Sequence, residues 1–151
     1  MRAAANLDGV ADLDVAGLLG ARVGHAVTVA NDATWAALAE HTSGAARGID
    51  DFVLVTLGTG IGGGLVLGGR LQLGAHGFTG EYGHMVVDPD GPPCPCGRRG
   101  CWERYASGSG LAHLARLAVA DGRLAAVLDA AGGDPAHVRG EMVQQAARQG
   151  D

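Results

Sequence analysis

The chain has 151 residues, 47% hydrophobic and 18% charged, which is the composition of a globular domain burying roughly 70% of its unfolded surface, not of a solvated tail. Its net charge is −5, its 11 basic residues are all arginine, and no arginine stripe alternates with aromatics, so nucleic acid is not expected as a partner of these residues. No apolar run approaches the ~20 residues of a membrane span, Met1-Arg2-Ala3-Ala4-Ala5 lacks the apolar core of a signal peptide, and the 3 cysteines suit a reducing compartment, so a cytoplasmic protein is expected.

In chain order, the β-branched run Val27-Thr28-Val29-Ala30 reads as a short strand that stops at Asn31-Asp32. Helical spacing of Trp35, Leu38 and Ala39 predicts a helix from Ala33 to His41, which Asp32 can cap. The polar stretch Thr42 to Asp51 reads as a link between subdomains. Phe52-Val53-Leu54-Val55-Thr56-Leu57 is an unbroken apolar run of strand length, expected to be buried on both faces. Gly58-Thr59-Gly60-Ile61-Gly62-Gly63-Gly64 then leads into two strands, Leu65 to Leu67 and Arg70 to Leu73, joined by a Gly68-Gly69 hairpin turn. From Ser109 onward the pattern is helical. Leu111, Leu114, Ala115, Leu117 and Ala118 form one apolar stripe, followed by Leu124 to Ala131 and Val138 to Ala147.

Three constellations point to chemistry. His84, Cys94, Cys96 and Cys101 are four soft or borderline ligands of the kind tetrahedral Zn²⁺ takes in a closed structural site. Prolines 92, 93 and 95 and glycines 97 and 100 surround them, and such a segment buries so little apolar surface that an ion must supply its order. Gly58-Thr59-Gly60 follows a buried strand, where backbone N–H groups can approach an anion; by residues alone it is equally a hairpin bulge. Asn31-Asp32 stands where a strand meets a helix, a place that suits either a helix cap or a rigidly held base.

Together these segments resemble the ROK family of sugar kinases and sugar-responsive repressors. The resemblance rests on Val29-Ala30-Asn31-Asp32-Ala33, Leu57-Gly58-Thr59-Gly60-Ile61-Gly62-Gly63-Gly64, Gly80-Glu81-Tyr82-Gly83-His84 and Cys94-Pro95-Cys96-Gly97-Arg98-Arg99-Gly100-Cys101-Trp102-Glu103. The last segment matches the family's Cys-x-Cys-Gly-x-x-Gly-Cys-x-Glu pattern throughout, and the likeness thins toward Asn6-Leu7 and Asp151.

The resemblance implies an α/β, actin-like ATPase (ribonuclease H-like) fold with two domains flanking a cleft where sugar and ATP meet. Residues 1–44 would close the first, smaller domain, and 45–151 would open the second, larger one, with the zinc loop at 84–103. It implies Asp32 as the base that takes the proton of a sugar hydroxyl attacking the γ-phosphoryl group of ATP. Asn31, Asp32, Glu81, His84 and Glu103 would hold the sugar, and Gly58, Thr59 and Gly60 the terminal phosphates of Mg²⁺-ATP. By their residues alone, Glu81 and Glu103 read as solvated surface carboxylates. One His84 nitrogen would ligate zinc while the other donates to the sugar, and glucose is the favoured hexose. The family's first phosphate loop is not matched by Asp8-Gly9-Val10, and its adenosine-covering segment would lie beyond Asp151. The expectation is a fold incomplete at both ends that binds zinc but phosphorylates sugar poorly by itself. A homo-oligomer is also implied, as is an alternative identity as a sugar-sensing repressor domain.

Overall fold

The computed structural model of the chain describes residues 13–150. Asn6-Leu7, Asp8-Gly9-Val10 and Asp151 lie outside them. The chain divides into two compact units, Met1–Asp32 and Ala33–Asp151.

In the first unit, α1 (Val15–Val23) begins at Asp14, whose carboxylate accepts from the Gly17 N–H at 3.0 Å, and ends at Gly24 in the left-handed region (φ 70°). This is the usual division of labour between an acidic N-cap and a glycine stop. Residues 26–31 belong to no helix and no strand. The run Val27–Ala30 was expected as a strand, and β-branched composition alone does not make one: a strand needs a partner for its ladder.

Helix α2 (Asp32–Ser43) starts at Asp32 itself, so that residue stands in the first turn and not at the cap. An acidic side chain is favoured there by the positive end of the helix dipole. Its packed residues are Ala33, Thr34 and Ala37, whereas Trp35 is 37% exposed. The expected face of Trp35, Leu38 and Ala39 is thus displaced by one of small residues. The reason lies in the sheet, where a Cβ on Gly62 would come 3.2 Å from the Ala33 Cβ and one on Gly64 would overlap Ala37.

The sheet is antiparallel with order β1 (Phe52–Leu57), β2 (Ile61–Leu67), β3 (Arg70–Gln72). Strand β2 therefore begins at Ile61 and contains Gly62, Gly63 and Gly64, four residues ahead of the Leu65 start that the sequence predicts. Strand β1 alternates instead of being buried on both faces: Val53, Val55 and Leu57 are 54%, 39% and 68% exposed, while Phe52, Leu54 and Thr56 are half-buried. The Phe52 ring lies 5.9 Å from that of His41 on α2. The Gly68-Gly69 turn holds both residues at positive φ (56° and 69°), as a two-residue hairpin requires, and Asp51 Oδ1 accepts from the Gly68 N–H at 2.7 Å.

Beyond the cysteine loop come α3 (Glu103–Ala106), α4 (Gly108–Ala120), α5 (Ala125–Ala130) and α6 (Gly140–Arg148), the last three around a core of Ala115, Val127, Ala131, Val138 and Ala146. The buried residues of α4 are Gly110, Ala112, Ala115 and Val119; of the stripe expected there, Ala115 is in the core, Leu111, Leu114 and Ala118 are half-buried and Leu117 is 52% exposed. Gly140 explains the choice of small residues: a Cβ there would strike the Gly108 backbone, so α6 and the start of α4 nearly touch. Among the described residues no helix is long and apolar enough to cross a membrane.

Candidate functional site

The segment Gly80-Glu81-Tyr82-Gly83-His84 is seated on β2 by its glycines. Gly80 has φ +98°, and a Cβ on it would overlap the Gly63 carbonyl; a Cβ on Gly83 would overlap the carbonyl of Ile61. The Tyr82 ring covers Gly63, where an added Cβ would lie 2.6 Å from the ring edge, and its hydroxyl donates to the Gly64 carbonyl at 3.4 Å. Burial pushes the Tyr82 phenol upward. With Gly80, Tyr82 and Gly83 holding the 3₁₀ turn Tyr82–His84 down, exposed Glu81 and half-buried His84 are left to face other partners. His84 Nε2 lies 3.8 Å from Glu81 Oε2.

The cysteine loop folds back on this turn. The Cys94 N–H donates to the Arg98 carbonyl at 2.8 Å and the Gly97 N–H to the Cys94 carbonyl at 3.0 Å, around Gly97 at φ +88°. Bridges Pro93↔Arg99 and Val86↔Cys101, with a Trp102 N–H to Met85 carbonyl bond of 2.8 Å, tie the loop's far end beside His84. The Tyr105 hydroxyl donates to Asp88 Oδ2 at 2.6 Å and braces the middle.

The four predicted ligands meet there. One donor atom from each of His84, Cys94, Cys96 and Cys101 lies within 4.8 Å of the others. Cys94 Sγ is 3.6 Å from His84 Nδ1, and Cys96 Sγ is 3.6 Å from Cys101 Sγ. A tetrahedron with Zn–S near 2.3 Å and Zn–N near 2.0 Å has edges of roughly 3.5–3.8 Å, so the donor set fits a zinc ion. The backbone N–H of Arg98 draws the exposed Cys96 thiol down to about 6, whereas burial and neighbouring sulfurs push Cys101 up to about 12. A cation among them would favour thiolates at both positions.

Glu103 lies two residues past Cys101, at the start of α3, and its carboxylate reaches the glycine loop: Oε2 accepts from the Ile61 N–H at 2.8 Å. The loop is held from a second side, because the Gly108 N–H donates to the Gly58 carbonyl (2.8 Å) and the Ser109 N–H to the Thr59 carbonyl (3.1 Å). Buried Ser107 locks that corner. Its hydroxyl donates to the Glu103 carbonyl at 2.7 Å and accepts from the Gly110 N–H at 3.0 Å, capping α4. Beside the loop opens a cleft of about 530 Å³ whose wall includes Gly58, Thr59, Ser109, Arg116, Arg139 and Gly140.

Of the predicted site residues, then, His84, Cys94, Cys96 and Cys101 come together with Glu81, and Glu103 joins the glycine loop through the Ile61 N–H. Asn31 and Asp32 are exposed at the end of the unit Met1–Asp32. Sequence reasoning missed Ser107, Ser109, Arg116 and Arg139. The only signal was a Ser-Gly-Ser-Gly run, residues 107–110, opening a helix.

Such an arrangement, a glycine hairpin braced by a following helix with a His/Cys cluster beside it, is part of an actin-like ATPase fold. The chain belongs to the ROK family, whose model matches residues 2–151. It is 46% identical over 132 residues to a glucokinase of Streptomyces coelicolor, covering 86% of this chain and 42% of the glucokinase. It is also 42% identical over 96 residues to the xylose repressor of Bacillus subtilis, covering 64% of this chain and 25% of the repressor. Among solved structures, a ROK family glucokinase from Streptomyces griseus, in complex with glucose and AMPPNP, matches at a TM-score of 0.73 and 42% identity, over 90% of this chain and 44% of that one. The chain spans less than half the length of each of these relatives.

Proposed function

We propose that this chain forms the sugar site and part of the nucleotide site of an ATP-dependent hexose kinase, with glucose as the hexose and glucose 6-phosphate as the product. The observation that supports the reading most is the placement of His84, whose Nδ1 lies 3.6 Å from Cys94 Sγ while Nε2 lies 3.8 Å from the Glu81 carboxylate. A zinc ion held by His84, Cys94, Cys96 and Cys101 supplies order to a loop with little core of its own. His84 is thereby fixed as an Nε2–H donor beside an acidic acceptor, a pair suited to neighbouring sugar hydroxyls.

Asp32 is the base in this reading. It accepts the proton of the sugar hydroxyl as that oxygen bonds to the γ-phosphorus of ATP and the β,γ-bridging oxygen leaves with ADP. Asn31, Glu81, His84 and Glu103 orient the sugar. ATP enters as its Mg²⁺ complex, with its terminal phosphates at Gly58, Thr59 and Gly60. Phosphoryl transfer asks for positioning and charge stabilisation more than covalent chemistry, which fits this residue set. The same reading takes residues 1–44 and 45–151 as parts of two domains, within a cytoplasmic homo-oligomer.

The likeness to a xylose repressor favours a second reading, in which the same zinc loop and sugar pocket serve a sensor that transfers no phosphoryl group. A chimera separates the two. This chain's sequence replaces the aligned 132 residues of the S. coelicolor glucokinase, and ATP-dependent phosphorylation is measured over a panel of hexoses. Glucose turnover is expected, with Asp32→Asn lowering kcat by about 10²–10⁴-fold, the usual worth of a positioned base. Glucose binding without turnover would instead support the sensor.

A further inference from the structure

The glycine hairpin that turns from β1 into β2 has few restraints of its own. Gly58, Thr59 and Gly60 are exposed, and a Cβ on Gly58 would meet nothing within 4 Å. Three hydrogen bonds from a single downstream segment hold it. Glu103 Oε2 accepts from Ile61 N–H, while Gly108 and Ser109 donate to the carbonyls of Gly58 and Thr59. Only the first involves a side chain, and it is charge-assisted, the stronger kind. It is also crowded in a way that fixes its partner, since a Cβ on Gly60 would stand 2.6 Å from Glu103 Oε2. The carboxylate therefore occupies the space a side chain would need, and a Cβ at position 60 would have to push it off the Ile61 N–H.

The segment's other end is the metal cluster. Cys101 pairs with Val86, and Trp102 donates to Met85, the residue after His84, so the backbone leaving the last ligand is fixed before it reaches Glu103. One residue, Trp102, then separates Cys101 from Glu103, which holds the Ile61 N–H. Ser107, fully buried, holds the Glu103 carbonyl and stops the segment from rotating.

We infer that Glu103 is a positioning residue for the glycine loop, clamping the Ile61 N–H so that residues 58–60 keep one conformation, and that the metal cluster, through residues 101–103, sets that clamp. This rests on the reading of residues 58–60 as the phosphate-binding loop. It adds a second role to a residue proposed above only as a sugar ligand: one carboxylate oxygen serves the loop and the other remains for a hydroxyl. The metal then governs the nucleotide side of the site as well as the sugar side.

The test is amide hydrogen exchange, followed by NMR, on the zinc-loaded chain. Glu103→Ala should speed exchange at Ile61 by about tenfold or more, the size of one lost charge-assisted bond, and leave Ala115 and Ala131 in the helical core within about threefold. Glu103→Gln keeps a carbonyl oxygen as acceptor and should hold Ile61 within about threefold of the parent. Removing zinc should reproduce the Glu103→Ala pattern. Unchanged exchange at Ile61 in Glu103→Ala overturns the clamp, as does equal acceleration at every amide, which would mark a general structural role. Retained protection after chelation, in a chain that had bound one zinc, overturns the link to the metal. Zinc stoichiometry is measured separately, so a chain that binds none contradicts the metal centre while the two Glu103 variants still decide the clamp. The phosphate-loop reading is judged by the chimera's KM for ATP: Thr59→Val leaving that KM unchanged would sink it, whatever Ile61 shows.

Discussion

Cys101 and Cys96 offer the same ligand atom from opposite environments. Cys101 is fully buried and bridged to Val86, while Cys96 is exposed on the loop's outer side. Serine at either position removes a thiolate and should abolish stoichiometric zinc binding, checked by the loss of tetrahedral Co²⁺–thiolate absorption on titration. Serine at position 101 should cost more than at 96, by about 1–3 kcal/mol in denaturant unfolding, because only there is a hydroxyl left in a buried place shaped for sulfur. Equal costs would mean that the loop contributes nothing to stability apart from the metal. The clustering of these side chains was legible in the sequence because a candidate metal site is written in residue type and short spacing: Cys94, Cys96 and Cys101 sit on one loop, and His84 lies ten residues before it. The Glu103 bond to Ile61 was not. It spans 42 residues, and nothing local distinguishes a carboxylate that reaches a backbone N–H from one in water.

The glycine strand shows where element-scale reading failed and why. Three consecutive glycines weaken a strand by intrinsic preference, and by that preference they belong in a loop. In the fold they are what allows α2 and the Tyr82 turn to lie against opposite faces of β2, Gly62 and Gly64 under Ala33 and Ala37 and Gly63 under Tyr82. The same close approach explains why α2 buries alanines and leaves Trp35 exposed. Propensity is local, and the gain from near backbone contact appears only once both elements are placed. Gly64→Ala should therefore destabilise the domain by about 1–3 kcal/mol, the usual cost of overpacking. Its nearest obstacle is the Ala37 Cβ, so Ala37→Gly should recover part of that loss, even though glycine alone costs a helix about 1 kcal/mol. Denaturant unfolding of both single variants and the double variant gives the coupling directly. Purely additive costs would show that α2 does not sit on Gly64 as described.

At the scale of the whole molecule, the cysteine loop and the helical core are built from different materials. Ala115, Val127, Ala131, Val138 and Ala146 bury one another without help from any ligand residue, whereas residues 84–103 are held by turns, prolines, glycines and the cluster. Apolar burial survives loss of an ion, but a loop whose order comes from four ligands does not. Chelation should therefore act in two stages. The reporter is Trp102, next to Cys101, isolated by Trp35→Phe, a substitution at a partly exposed position that leaves Trp102 as the one remaining tryptophan of the 2 in the chain. Trp102 emission should change at chelator concentrations where far-ultraviolet circular dichroism still reports the helices. In the glucokinase chimera, KM for glucose should rise over the first stage, because in the proposed site His84 would lose the ion that fixes its tautomer and orientation before anything unfolds. If emission, ellipticity and KM change together, the loop and core are a single cooperative unit and the ion stabilises the whole domain. If emission changes while KM holds, His84 and Glu103 are positioned by their hydrogen bonds alone, and the ion orders the loop without acting on the sugar site.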